Sequence, residues 1–173
     1  YTLYADQLAD FVRQIALHLA AVQRSEQPPA QRDNSLRALL YCLISIFRAT
    51  SEAVERVPLT AWVGTESLLA HPNAAVRLTY LDALYEYVQV EHRRGDAAEP
   101  LSDSLRFLHG LYARAMQAVS SASTTPADFA ALQAVHNLLM LTVPVATALA
   151  SVPMLFALER AASAPVTGDA ARI

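Results

Sequence analysis

The stretch HPNAAVRLTYLDALYEYV, residues 71–88, most narrows what this chain can fold into. Pro72 has no amide hydrogen and Asn73 has a short side chain suited to capping, so the pair ends one helix and starts the next. Val76 and Arg77 open that next helix, and Ala83 and Leu84 continue its apolar face about two turns on. A single helical hairpin with such a face cannot bury it alone and has to stack on neighbours. That implies a surface for binding rather than a reaction centre.

Helical periodicity runs through the rest of the chain. Leu8, Phe11, Val12, Ile15, Leu19 and Val22 recur at helical spacing over residues 4–24, and Gln27-Pro28-Pro29 ends that helix. A second helix is expected over 33–49, capped by Asp33, with a broad apolar face from Leu36, Leu39, Leu40, Leu43, Ile44 and Phe47. Pro58 suits the first turn of a third, over 59–70. The fourth spans 73–92, with Val76, Tyr80, Leu81, Leu84 and Val88 inward and Thr79, Asp82 and Glu86 outward. Residues 92–100 read as a polar loop. A fifth helix follows over 102–120, and Thr125-Pro126-Ala127-Asp128 is a helix start with a capping hydroxyl, a first-turn proline and an acid at the positive end of the dipole. The sixth helix runs to 142. Pro144 breaks the pattern, and a seventh reaches 162, starting or bending near Pro153.

The spacing of Pro72, Val76, Arg77, Ala83 and Leu84 resembles the second helix of a HEAT repeat. Leu36-Arg37-Ala38 echoes Val76-Arg77-Leu78 at a separation within the range of HEAT and armadillo repeats. The expected fold is therefore all-α, a HEAT/armadillo-like α-solenoid fragment of about seven antiparallel helices. It forms one helical-repeat domain over 1–163, with a frayed tail over 164–173, and both ends read as cuts through a longer protein. A closed helical bundle shares the same periodicity and is the structural rival.

Composition narrows the function. Net charge is -3 and the basic residues are dispersed, whereas a nucleic-acid groove needs a concentrated basic face. All 13 basic residues are arginine, so the chain offers no lysine for a Schiff base or a phosphate loop. Cys42, the single cysteine, sits in an apolar run where a thiol packs as a small hydrophobe. His18, His71, His92, His109 and His136 form no H-x-x-x-H pair, and no motif of nucleophilic or phosphate-binding chemistry occurs. The reading is non-catalytic, with no cofactor and no metal. Arg77 has two readings: it orders the stack by bonding to neighbouring turns or to an acid one repeat away, or it binds an anion. Arg93 and Arg94, at a polar loop tip, and Trp62, as an aromatic anchor, are the candidate partner contacts. Residues 129–158 carry no Asp, Glu, Lys or Arg, and 138–158 is long enough for a bilayer span. Pro144, Pro153 and the polar Asn137, Thr142, Thr147 and Ser151 fit two buried helices instead.

Ala134-Val135-His136-Asn137, Val152-Pro153-Met154-Leu155 and the repeat from Pro72 to Leu84 together resemble a known family. Val12-Arg13-Gln14-Ile15-Ala16 and Ser45-Ile46-Phe47-Arg48-Ala49-Thr50-Ser51 add to the likeness. It is the eighty-five requiring family of fungi, called rolling blackout in flies, the plasma-membrane scaffold of the phosphatidylinositol 4-kinase complex. The resemblance implies a non-catalytic helical rod at the cytoplasmic face of the plasma membrane, with a tetratricopeptide adaptor and the lipid kinase as protein partners. The basic patch and N-terminal cysteines by which that family attaches to membrane have no counterpart here. A HEAT or armadillo adaptor in transport or nuclear import is the alternative, and a membrane-embedded helical protein is a further one.

Overall fold

The computed structural model describes residues 7–49, 57–95, 101–119, 121 and 123–163, and every regular element among them is helical. Six α-helices are α1 (Leu8–Gln23), α2 (Pro29–Ala49), α3 (Ala74–Arg94), α4 (Leu101–Val119), α5 (Pro126–Thr142) and α6 (Pro144–Ser163). Two 3-10 turns, Leu59–Trp62 and Glu66–Ala70, stand where the sequence suggests a third long helix. Gly64, at φ +98°, breaks that segment with a backbone conformation that L side chains rarely adopt. The tail over 164–173 and the start of the first helix before residue 7 lie outside the described residues.

Several expected boundaries move for identifiable reasons. Asp33 is not a cap but an interior residue of α2, because Pro29 occupies the first position of that helix, where its missing N–H costs nothing. Pro144 plays the same part in α6, so that helix begins there rather than near Pro153, which lies inside it. Helix α3 runs two residues past His92 and stops at Gly95, which takes the left-handed conformation at φ 63°.

The elements pack in two rows. In one, α2, α3 and α5 lie side by side in that order. In the other, α1 meets the first 3-10 turn, both turns meet α4, and α4 meets α6. Each pair in sequence — α1 with α2, the 3-10 turns with α3, α4 with α5 — thus contributes one member to each row. The core lies between the rows. Phe47, Trp62, Tyr80 and Tyr87 join α2, the first 3-10 turn and α3, with Trp62 ring centroids 6.0, 6.2 and 5.3 Å from Phe47, Tyr80 and Tyr87. Tyr80 and Tyr87 keep their hydroxyls bonded, to Thr65 Oγ1 at 3.2 Å and to the Val57 carbonyl at 2.8 Å. Burial pushes the Tyr80 phenol up, so it stays protonated.

Some residues leave the faces that periodicity assigns. Phe11 is 56% exposed, and Val12, Ile15, Ala16 and Leu19 carry the inner face of α1 instead. Cys42 is exposed rather than packed. Thr79 is buried, its hydroxyl donating to the Ala75 carbonyl at 2.6 Å, and Glu86 is half-buried and accepts from Arg48 Nε at 2.7 Å.

Gly110 shows how closely α4 approaches the 3-10 turns. A Cβ there would sit 3.0 Å from Glu66 Oε1 and 3.2 Å from Glu66 Cδ. Glu66 is held in place by the Gly64 amide, which donates to Oε2 at 2.6 Å, and burial raises its carboxyl above the ordinary range. Gly110→Ala is expected to destabilise by roughly 1–3 kcal/mol, overpacking outweighing the gain in helix propensity. In a Glu66→Ala background the same change should instead stabilise by up to about 1 kcal/mol. Denaturant midpoints of the four proteins measure both signs, and a stabilising Gly110→Ala in the native background would contradict the close contact.

Candidate functional site: an arginine-centred junction

Asn73 starts α3 by accepting the Ala75 amide on its Oδ1 at 2.9 Å, and one turn later Arg77 reaches toward the start of α5. The side chain is 2% exposed. Its Nε and Nη2 donate to Asp128 Oδ1 and Oδ2 at 3.0 and 2.8 Å, a planar two-pronged pair with the first turn of α5. Nη1 donates to the carbonyls of His71 and Pro72 at 2.7 and 3.1 Å, and Nη2 also reaches the Ser123 carbonyl at 2.7 Å. A guanidinium has five N–H groups, and these contacts use all five. None is left to hold an anion, so the anion-binding reading of Arg77 does not fit this geometry.

Asp128 is shared. It closes a capping box with Thr125, accepting the Thr125 amide and hydroxyl on Oδ2, each at 2.8 Å. Burial pushes its carboxyl up, but the bonds from Arg77 and Thr125 outweigh that and hold it below the usual carboxylate range. The junction therefore joins the end of the 3-10 segment, the start of α3, Ser123 and the Thr125 cap of α5.

A second polar joint lies alongside, between α2 and α3. Asn73 Nδ2 donates to Asp33 Oδ2 at 2.8 Å, and His71 Nε2 lies 3.5 Å from Asp33 Oδ1. His71 Nδ1 accepts the Asn73 amide at 3.2 Å, so the neutral ring with its proton on Nε2 serves both neighbours. Burial lowers its pKa; Asp33 opposes this, while Arg32 and Arg77 add to it. Between α4 and α5, the Tyr112 hydroxyl meets His136 Nδ1 at 2.7 Å. Burial raises the Tyr112 phenol and lowers His136, so both groups are neutral at this contact.

The remaining candidates fall in different places. Pro72 is exposed in the turn, while Val76, Ala83 and Leu84 are buried on α3. Trp62 is 1% exposed, packed among aromatic rings, and so fills the core instead of facing a partner. Arg93 and Arg94 sit in the last turn of α3, not in a loop, where cations complement the negative end of the helix dipole. Arg94 is paired with Glu91 at 3.2 Å with only 5% of its side chain exposed, and Arg93 is exposed with Nε on the Gln89 carbonyl at 3.3 Å.

Catalytic geometry is thin around these groups. Beside Arg77 lies a cleft of about 20 Å³, lined mainly by Leu69, Leu81, Ala115 and Leu132. A wider groove of about 350 Å³, where α4 begins and α5 turns into α6, has Ser104 and Thr142 as its polar groups and no titratable side chain. Among the described residues, no three His, Cys, Asp or Glu side chains converge as a metal-binding group. Nor is any described helix long and apolar enough to cross a membrane. The uncharged stretch is instead folded into two helices, turned at Val143 and Pro144.

Two predictions test the joints. Arg77→Ala or Asp128→Asn should each lower stability by about 3–5 kcal/mol, because each strands a buried charged or polar partner. The double variant should show a coupling near the upper end of roughly 0.5–3 kcal/mol; unchanged thermal melting of Arg77→Ala would contradict the junction. For His71 and His136 the folded-state pKa lies below the ordinary value of 6.5, so the unfolded chain takes up protons first as pH falls. Stability is thus full above about pH 6.5 and declines as pH drops below it. His71→Gln should make the decline between about pH 6.5 and 5 shallower. An identical slope in urea melts across that window would exclude His71 as a contributor.

The chain is 26% identical over 136 residues to Protein EFR3 of Coccidioides immitis (strain RS), a match covering 58% of this chain. No family model and no solved structure matches the chain. The match spans 11% of that relative, so the chain is similar to a local portion of Protein EFR3.

Proposed function

We propose that this chain is a stretch of a HEAT/armadillo-like α-solenoid that acts as a non-catalytic scaffold, placing a phosphatidylinositol 4-kinase complex at the cytoplasmic face of the plasma membrane. The observation that carries the reading is the similarity to Protein EFR3. Two structural features support it: the paired elements in two rows and the arginine junction that ties one pair to the next. Both are what a stacked-repeat scaffold needs, since each pair leaves an apolar face for its neighbour to cover.

In this reading the chain works through surface complementarity along helix faces, with no bond chemistry. Its partners are the tetratricopeptide adaptor and the lipid kinase, with no nucleic acid among them. Membrane attachment is peripheral and belongs to other parts of the scaffold, because the arginines here are dispersed along the sequence. The motif residues Pro72, Val76, Arg77, Ala83 and Leu84 are structural within it. Arg93 is the member of the candidate contact set whose exposure suits a partner.

The test is made in the source cells. Depleting the protein should lower phosphatidylinositol 4-phosphate at the plasma membrane, measured with a fluorescent lipid sensor. Wild-type protein should restore it, and Arg77→Ala should restore it poorly, because the stack that presents the binding faces is weakened. An unchanged lipid signal on depletion, or recovery of the protein with nuclear-import or vesicle-transport partners instead, would overturn the reading.

A further inference from the structure

Helix α6 is apolar on two sides. Its inner side buries Ala146, Ala150 and Met154, with Thr147 and Ser151 bonding backbone carbonyls of Leu139 and Ala148. Its outer side exposes Val145, Leu149, Val152 and Phe156, Leu149 by 53% and Phe156 by 60%. These four recur at the four-three-four spacing by which one helix seats another. The outer side of α4, the helix before it in the same row, is polar instead: Arg106, His109, Arg114 and Gln117 are exposed there. Large exposed apolar side chains occur on α1, α2, α4, α5 and α6, and none is exposed on α3 or the 3-10 turns, which lie in the middle of the stack.

The order of packing says what belongs on that face. Every earlier element of the row holding α6 is followed in sequence by a helix of the other row: α1 by α2, the 3-10 turns by α3, α4 by α5. α6 opens a fourth pair, and the place beside it and next to α5 belongs to that pair's second member. The face carries no charge from residue 129 to 158, so it fits an apolar helical stripe. The relative it resembles is far longer, the match covering 11% of it.

We propose that the outer face of α6 is the bed of a helix from the same polypeptide, following residue 173 in sequence, antiparallel to α6 and packed beside α5. The groove lined by Leu101, Thr142, Pro144 and Val145 takes an apolar side chain at one end of that helix. The proposal rests on the stacked-repeat part of the reading above and not on the kinase complex, so its test leaves the lipid-sensor result untouched.

The experiment labels thiols with a maleimide in a Cys42→Ser background, which removes the exposed native thiol. Leu149→Cys and, separately, Val152→Cys are compared in residues 1–173 and in the polypeptide extended along its own coding sequence, with Ala113→Cys on the solvent side of α4 as a reference. Relative to that reference, labelling at both face positions should be fast in residues 1–173 and at least about tenfold slower in the extended protein. Equal rates in the two would overturn the proposal, as would a coding sequence that stops at Ile173. Protection in residues 1–173 that grows with protein concentration would assign the face to a second copy instead. Protection arising only with phosphatidylcholine–phosphatidylserine vesicles would assign it to a bilayer.

Discussion

The order of this structure depends on one guanidinium. Arg77 is charged and almost wholly buried, a state that is costly unless every donor is paired. Its five donors reach two carbonyls of one turn, one connector carbonyl and the capping carboxylate of another helix, so the position of α5 against α3 is fixed by groups that cannot be left unsatisfied. Apolar contacts alone would let two such helices slide by a turn at modest cost. A planar pair between Arg77 and Asp128 does not, because its two bonds are lost together when the planes separate.

Asp128 does two things that reinforce each other. At the N3 position of a capping box it satisfies the Thr125 amide, which orients its carboxylate toward Arg77. Arg77 in turn holds the carboxylate ionised, and an ionised group is the better acceptor for both the amide and the hydroxyl of Thr125. The start of one helix and the docking of another thus share one charge. The smaller joint of Asp33, His71 and Asn73 repeats the arrangement between α2 and α3 with weaker partners.

How much of this was legible in the sequence follows from how local each signal is. The caps at Asn73 and Thr125 are read from neighbours, and the structure forms both. The inner face of α3 was legible for the same reason: Val76, Tyr80, Leu81, Leu84 and Val88 are all buried. The 3-10 segment was not, since a short apolar run between prolines reads as helix until Gly64 takes a positive φ. Phe11 and Cys42 show the limit of periodicity on broad apolar faces, which gives an apolar stripe but not which edge of it a neighbour covers. A bond from Arg77 to neighbouring turns or to an acid one repeat away was legible from the repeat spacing, but the identity of the acid was not: Asp128, 51 residues on, was visible only as a helix-start residue.

The uncharged stretch from 129 to 158 shows why composition alone leaves membrane and stack unresolved. In hydrocarbon and in a protein interior alike, a helix gains nothing from charged side chains, so both produce the same sequence. What separates them is how backbone and hydroxyl groups are satisfied at the break. Val143 ends α5 with its amide on the Leu139 carbonyl, Pro144 supplies a first helical position that needs no donor, and Thr147 sends its hydroxyl back to that same Leu139 carbonyl. The turn satisfies itself, so the chain reverses and packs α6 against α4 and α5 rather than continuing straight. One apolar side of α6 meets protein within the chain, and the other retains the capacity to bind a further helix.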